Sequence, residues 1–225
     1  MSINENIAAI RAAIAAAADR PITLVAATKM NDASRVAAAI AAGVDACGEN
    51  KVQEFLEKDG QDAYAGCPKH FIGHLQRNKV NKVVGTVALI HSVGSAELLH
   101  EIARRAAALG IVQDILLEVN IGAEEAKSGF APEALYAAAE ETKVLPSVRL
   151  RGLMTIPPVA VGEHGSLPYF EKVHTLFVDI NEKMYDNKLD ILSMGMSGDY
   201  EDAIRTGATM VRVGTAIFGA RNYNV

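Results

Sequence analysis

The chain has 225 residues, half of them hydrophobic, with 5% aromatics, no tryptophan and a net charge of −5. That is enough chain for one domain of ordinary to large size, with a core built from Ala, Val, Ile and Leu. The acidic balance, and the absence of any basic run longer than Arg104–Arg105, argue against a nucleic-acid surface.

Ile3, Ile7, Ile10 and Ile14 recur at three- and four-residue steps between Ser2 and Pro21, which predicts an N-terminal helix with one packing stripe. Ile22–Met30, ITLVAATKM, is a continuous apolar run up to Lys29 and reads as a buried strand of a parallel sheet. Asn31 or Asp32 can cap a helix that runs to Ala42 and ends at Gly43. A pattern then repeats. Strands are expected at Val44–Cys47, His70–Gly73, Val87–His91, Val112–Val119, Val148–Met154, Leu189–Leu192 and Thr209–Val213. Helices are expected at Lys51–Tyr64, after HLQRNK to Val84, at Ser95–Leu109, Pro132–Lys143 and Pro168–Asp186, and from Ser197 to Arg205.

Eight strands, each followed by a helix or the terminal loop, imply a parallel sheet. In roughly 200–250 residues that alternation predicts a (β/α)8 TIM barrel with an extra N-terminal helix, one domain over residues 1–225. An open doubly wound sheet is the competitor, but the first βα turn has no GxGxxG. The loop Val159–Leu167, with Gly162 and Gly165, is a candidate lid over the barrel mouth. Two cysteines, Cys47 and Cys67, without a CxxC suit a reduced, cytoplasmic chain. Residues 1–20 lack a signal-peptide pattern, and no apolar run is long enough to span a membrane.

In a barrel all post-strand segments meet at one face. Here they bring Lys29, Glu49–Asn50, His74, Asn120, Lys127–Ser128–Gly129, Met154, Ser193, Gly195, Ser197 and Gly214–Thr215 together. Lys29 at a strand end is either an amine partly desolvated for attack on an aldehyde or a lysine that snorkels to the rim. The loops after strands seven and eight carry most weight, because barrels frequently bind phosphate there. SMGMS and Gly214–Thr215 offer hydroxyls and close backbone N–H groups. Ser197 alone would be an ordinary N-cap. Asp199, Glu201 and Asp202 would repel an anion unless they face solvent.

In TMVRVGT, alternation puts Met210 and Arg212 on one face and Val211 and Val213 on the other. The valines suit the helix layer, so Arg212 points into the barrel. It either pairs with a carboxylate such as Glu49 or Glu118 or donates to a ligand atom. Cys67, His70 and His74 have a spacing open to zinc, but His70 and His74 flank a short strand and would not converge, so no metal is expected.

VAATKM, GENKVQE, HFIGHLQRNKV, EVNIGAEEAKSGF, RGLMTIPP, LSMGMSGDYEDAI and TMVRVGTAIFGAR, in this order across nearly the whole chain, resemble the pyridoxal phosphate homeostasis protein family. The resemblance implies a barrel similar to the N-terminal domain of alanine racemase, binding of pyridoxal 5′-phosphate (PLP), and a role as carrier or regulator of that cofactor. By the same resemblance Lys29 forms a Schiff base with the PLP aldehyde. Ser197, Gly214 and Thr215 hold the phosphate, Arg212 faces the pyridine nitrogen, Asn50 lies near the ring and Met194 packs beside the cofactor. His74 stands where some members carry proline.

The rival functions are a PLP-dependent amino-acid racemase, a Schiff-base aldolase of phosphorylated sugars and a non-catalytic structural barrel. A racemase needs a base on each face of its substrate. The resemblance implies that alanine racemase takes the second, a tyrosine, from a further C-terminal domain, whereas here ten residues follow Thr215 and Tyr223 is the one tyrosine among them. The expectation is therefore a non-catalytic, monomeric PLP protein whose partners are PLP and PLP-dependent apo-enzymes.

Overall fold

In the computed structural model, which describes residues 2–124, 127–159, 162 and 164–219, eight parallel strands close into a barrel in chain order. They are β1 (Thr23–Ala27), β2 (Ala46–Glu49), β3 (Lys69–Phe71), β4 (Leu89–Val93), β5 (Gln113–Val119), β6 (Val148–Thr155), β7 (Ile191–Ser193) and β8 (Met210–Val213). The helices are α1 (Ile3–Ala17), α2 (Ala33–Ala41), α3 (Val52–Gly60), α4 (Ala96–Ala108), α5 (Leu135–Lys143), α6 (Leu167–Tyr185), α7 (Tyr200–Arg205) and α8 (Thr215–Phe218). The (β/α)8 expectation is borne out. The short helix expected up to Val84 is a 3-10 helix over Arg77–Lys82.

Period-2 alternation sorts the strand residues into two cores. Leu24, Ala26, Cys47, Phe71, Ile90, Leu117, Leu192, Met194, Val211 and Val213 face outward and pack with the helices. Val25, Ala46, Leu89, Leu116, Met154 and Met210 fill the lumen. The barrel closes at the β1–β8 seam, where Ala26 is in register with Val213. α1 packs against α2, α7 and α8 beside that seam. It starts with a capping box between Ser2 and Glu5, buries Ile7, Ile10 and Ile14, and is tied to α8 by Asn6 Nδ2, which donates to the Ile217 carbonyl at 2.8 Å.

Glycine is required where loops meet at the mouth. A Cβ on Gly73 would lie 2.1 Å from the Asn50 carbonyl oxygen, so the loops after β2 and β3 can touch only with glycine there. Gly195, at φ +91°, turns the chain after β7 against Tyr200 and Ala203. Of the expected lid, residues 160, 161 and 163 lie outside the described residues, as does Tyr223.

Candidate functional site

The C-terminal ends of β1 and β8 are neighbours, and their loops bring Lys29, Gly214 and Thr215 to one sector of the rim. Lys29 lies two residues past the end of β1 and is half-buried. Strand alternation from Val25 puts it on the lumen side. An ideal Cβ on Gly214 would sit 3.4 Å from Ala27, which shows how closely the two strand ends pack.

Ser197 is drawn to the same place. Its Oγ accepts the backbone N–H groups of Gly214 and Ala216, both at 3.2 Å. Two amides thus converge on one oxygen position. The expected helix start at Ser197 is corrected: α7 begins at Tyr200 and Ser197 sits in the turn before it. Asp199 occupies the N-cap position, and its carboxylate accepts the Met196 N–H and the Ser166 hydroxyl. Asp202 meets His164 and Arg205, and Glu201 meets Arg205. The acidic trio is therefore partnered within its own loops and surface. A cleft of about 880 Å3 opens beside Ser197, between the loops that follow β6 and β7.

Arg212 lies in the lumen, 3% exposed. It donates from Nη1 to Ser193 Oγ at 2.5 Å and from Nη2 to the Thr155 carbonyl at 2.9 Å. Neither salt bridge considered for it forms. Glu49 lies on the helix side of β2 and pairs with Lys58, while Glu118 accepts from Ser128 Oγ at 2.9 Å. Burial lowers Arg212 to about 10, which leaves the guanidinium charged at neutral pH. Burial raises the Glu118 carboxyl, opposed by Ser128 and the charge of Arg212.

Behind Arg212 a polar chain crosses the lumen. Ser193 Oγ is 3.1 Å from His91 Nδ1, and His91 Nε2 is 3.1 Å from His70 Nδ1. Burial holds His70 at about 4 and pushes His91 well below 6.5, so both rings are neutral at pH 7. His74 is exposed at the rim, and no group of three metal-capable side chains occurs among the described residues.

Asn50 lies at the end of β2, and its Oδ1 is buried with no hydrogen-bond partner among the described residues. An orphaned buried amide oxygen at a barrel mouth fits a donor group of a ligand. Met194 is different: it is fully buried in the outer core, on the opposite side of the strand end from Ser193. The structure thus gathers Lys29, Asn50, Ser197, Arg212, Gly214 and Thr215 around the mouth and leaves Met194 beneath it. His91 and Lys58 were not singled out from sequence. A histidine within the apolar run LIHSV was the available signal for the first, and a Glu54–Lys58 pair four residues apart for the second.

The alanine racemase N-terminal domain model matches residues 1–222. A pyridoxal phosphate homeostasis protein from Aquifex aeolicus is 48% identical over 80% of this chain and 79% of its own length. One from Pseudomonas aeruginosa is 41% identical over 99% of this chain and 97% of its own. Among solved structures, PipY of Synechococcus elongatus with PLP bound superposes with a TM-score of 0.85 at 32% identity, covering 97% of this chain and all of that one. An alanine racemase from Clostridium difficile superposes at 0.71 with 17% identity, covering 98% of this chain and 57% of that one, a likeness of fold alone.

Proposed function

The chain belongs to the family of pyridoxal phosphate homeostasis proteins, built on the alanine racemase N-terminal domain, and from that premise we propose that it binds PLP at its barrel mouth and serves to keep that cofactor available. One observation carries the reading. A half-buried lysine and two convergent backbone amides stand on adjacent strand ends, β1 and β8, at the barrel face where ligands bind.

When bound, PLP supplies an aldehyde that condenses reversibly with an amine, and a ring that withdraws electrons. Lys29 is the amine that would hold the cofactor through its aldehyde. The Gly214 and Ala216 amides, with the Ser197 and Thr215 hydroxyls, hold the phosphate; backbone donors do this without a lysine. Asn50 offers its unpartnered amide oxygen to a hydrogen-bond donor on the ring. Met194 contributes only packing under the loop.

Arg212 is the residue that would face the pyridine nitrogen. Its guanidinium only donates, and at about 10 it stays charged, so it keeps that nitrogen unprotonated. This weakens the electron-withdrawing ring without by itself excluding amino-acid chemistry, since alanine racemase is similar in this respect. Retention and release, rather than turnover, is the function, with PLP-dependent apo-enzymes as recipients and a cytoplasmic monomer as the working form. No helix among the described residues is long and apolar enough to cross a membrane.

Titrating the purified protein with PLP should give a saturable change in the visible absorption of the cofactor, at one PLP per chain. A titration with no saturable component contradicts the reading. Solvent-deuterium exchange at the α-carbon of L- and D-alanine separates carrier from racemase. The PLP-loaded protein should give none, and rapid Lys29-dependent exchange of both enantiomers would make it an enzyme.

A further inference from the structure

The turn that carries Lys29 is held from outside the barrel by α3. Lys58 is buried on the inner side of that helix. Its Nζ donates to the Thr28 carbonyl at 2.7 Å, to Glu49 Oε1 at 2.5 Å and to Glu54 Oε1 at 3.0 Å. Glu49 Oε1 also accepts from Thr28 Oγ1 at 2.6 Å and Tyr64 OH at 3.1 Å. Glu54 Oε1 accepts the backbone N–H of Met30. The residue before Lys29 and the residue after it are therefore both tied to one ammonium group.

Two further observations bear on why. Met30 has φ +60°, a conformation that non-glycine residues rarely adopt and that persists only where the surroundings impose it. A buried cation between two carboxylates is also a poor source of stability, because well-packed apolar residues often do as well or better. The cluster lies on the helix side of β1 and β2, away from the lumen, since Glu49 and Thr28 alternate with the lumen-facing Asn50 and Lys29.

We propose that Lys58 and Glu54 are positioning residues for Lys29. They hold the Thr28–Met30 turn in its left-handed form, which stations the Lys29 amine where the cofactor's aldehyde is presented. The inference rests on the reading that Lys29 carries the aldehyde.

The test compares PLP with pyridoxine 5′-phosphate, which shares the ring and phosphate but has an alcohol in place of the aldehyde and so cannot link to a lysine. The ratio of the two affinities reports the Lys29 link alone. Wild-type protein should prefer PLP, and Lys29→Ala should abolish the preference. A preference that survives Lys29→Ala removes the premise and the inference with it. Glu54 is only partly buried, so Glu54→Ala should fold. It should lower the preference about tenfold, the order set by one charge-assisted hydrogen bond. Affinity for pyridoxine 5′-phosphate should stay at the wild-type value, and the Met30 amide should exchange its hydrogen faster. Lys58→Met should lower the preference further, and if it does not fold Glu54→Ala decides alone. An unchanged preference in Glu54→Ala overturns the proposal while leaving the Lys29 reading intact. An equal loss of affinity for both ligands also overturns it, since that is general damage to the site.

Discussion

Lowering the pH from 7 to 5 should destabilise this protein through His70 and His91, which meet in the lumen from the neighbouring strands β3 and β4, their rings tilted at a centroid distance of 5.1 Å. Burial holds both rings neutral in the folded state, His70 at about 4 and His91 well below the ordinary 6.5. The folded chain then binds fewer protons than the unfolded chain, so the contribution is complete above about pH 6.5 and is lost as pH falls below it. Each pH unit in that window costs about 1.4 kcal/mol per histidine. From 6.5 to 5 this is about 2 kcal/mol for His70, a large part of a typical domain's stability, and His91 adds to it in the same direction. The window lies above the ordinary carboxylate range. Glu118, raised by burial, acts in the opposite direction and is common to the variants compared. Urea denaturation at pH 7, 6 and 5 on wild type and on the combined His70→Gln, His91→Gln variant measures the effect. The wild-type stability should fall steeply and the variant's should stay nearly flat. Parallel pH slopes would refute the assignment of two neutral buried histidines.

Pyridoxal, which lacks the phosphate, should bind on the order of a hundredfold more weakly than PLP in equilibrium titration, because it forgoes the Gly214 and Ala216 amides. Arg212→Met should weaken PLP binding about tenfold or more in the same titration, through loss of a charge-assisted donor. Gly73→Ala should destabilise the fold by about 1–3 kcal/mol, read as a shift of the urea midpoint, because its Cβ falls 2.1 Å from the Asn50 carbonyl and forces the β2 loop to move.

The barrel was legible because its signals are local. ITLVAATKM and the alternation in TMVRV mark buried strands and put Arg212 on the lumen face, where the structure also has it. What was not legible depends on contacts distant in sequence. Ser197 reads as a helix cap, yet its hydroxyl bonds amides 17 and 19 residues away, and Asp199 takes the cap position instead. Nothing local in the sequence marks the inward turn of Lys58, whose ammonium meets a carbonyl 30 residues away. The His91–Ser193 contact spans 102 residues, and only closure of the barrel brings β4 and β7 to opposite sides of one lumen. Met194 follows a lumen-facing serine and therefore points outward, a parity set by where β7 ends.

Whether Lys29 carries the aldehyde of PLP is read out by borohydride reduction followed by peptide mapping. Reduction turns the reversible carbon–nitrogen link into a stable secondary amine that survives digestion. One modified peptide should come from the PLP-loaded wild type, with the pyridoxyl phosphate mass on Lys29, and none from Lys29→Ala. A modification mapped to Lys127 or Lys79 with Lys29 untouched, or a saturably bound cofactor that borohydride cannot fix to the chain, would contradict it.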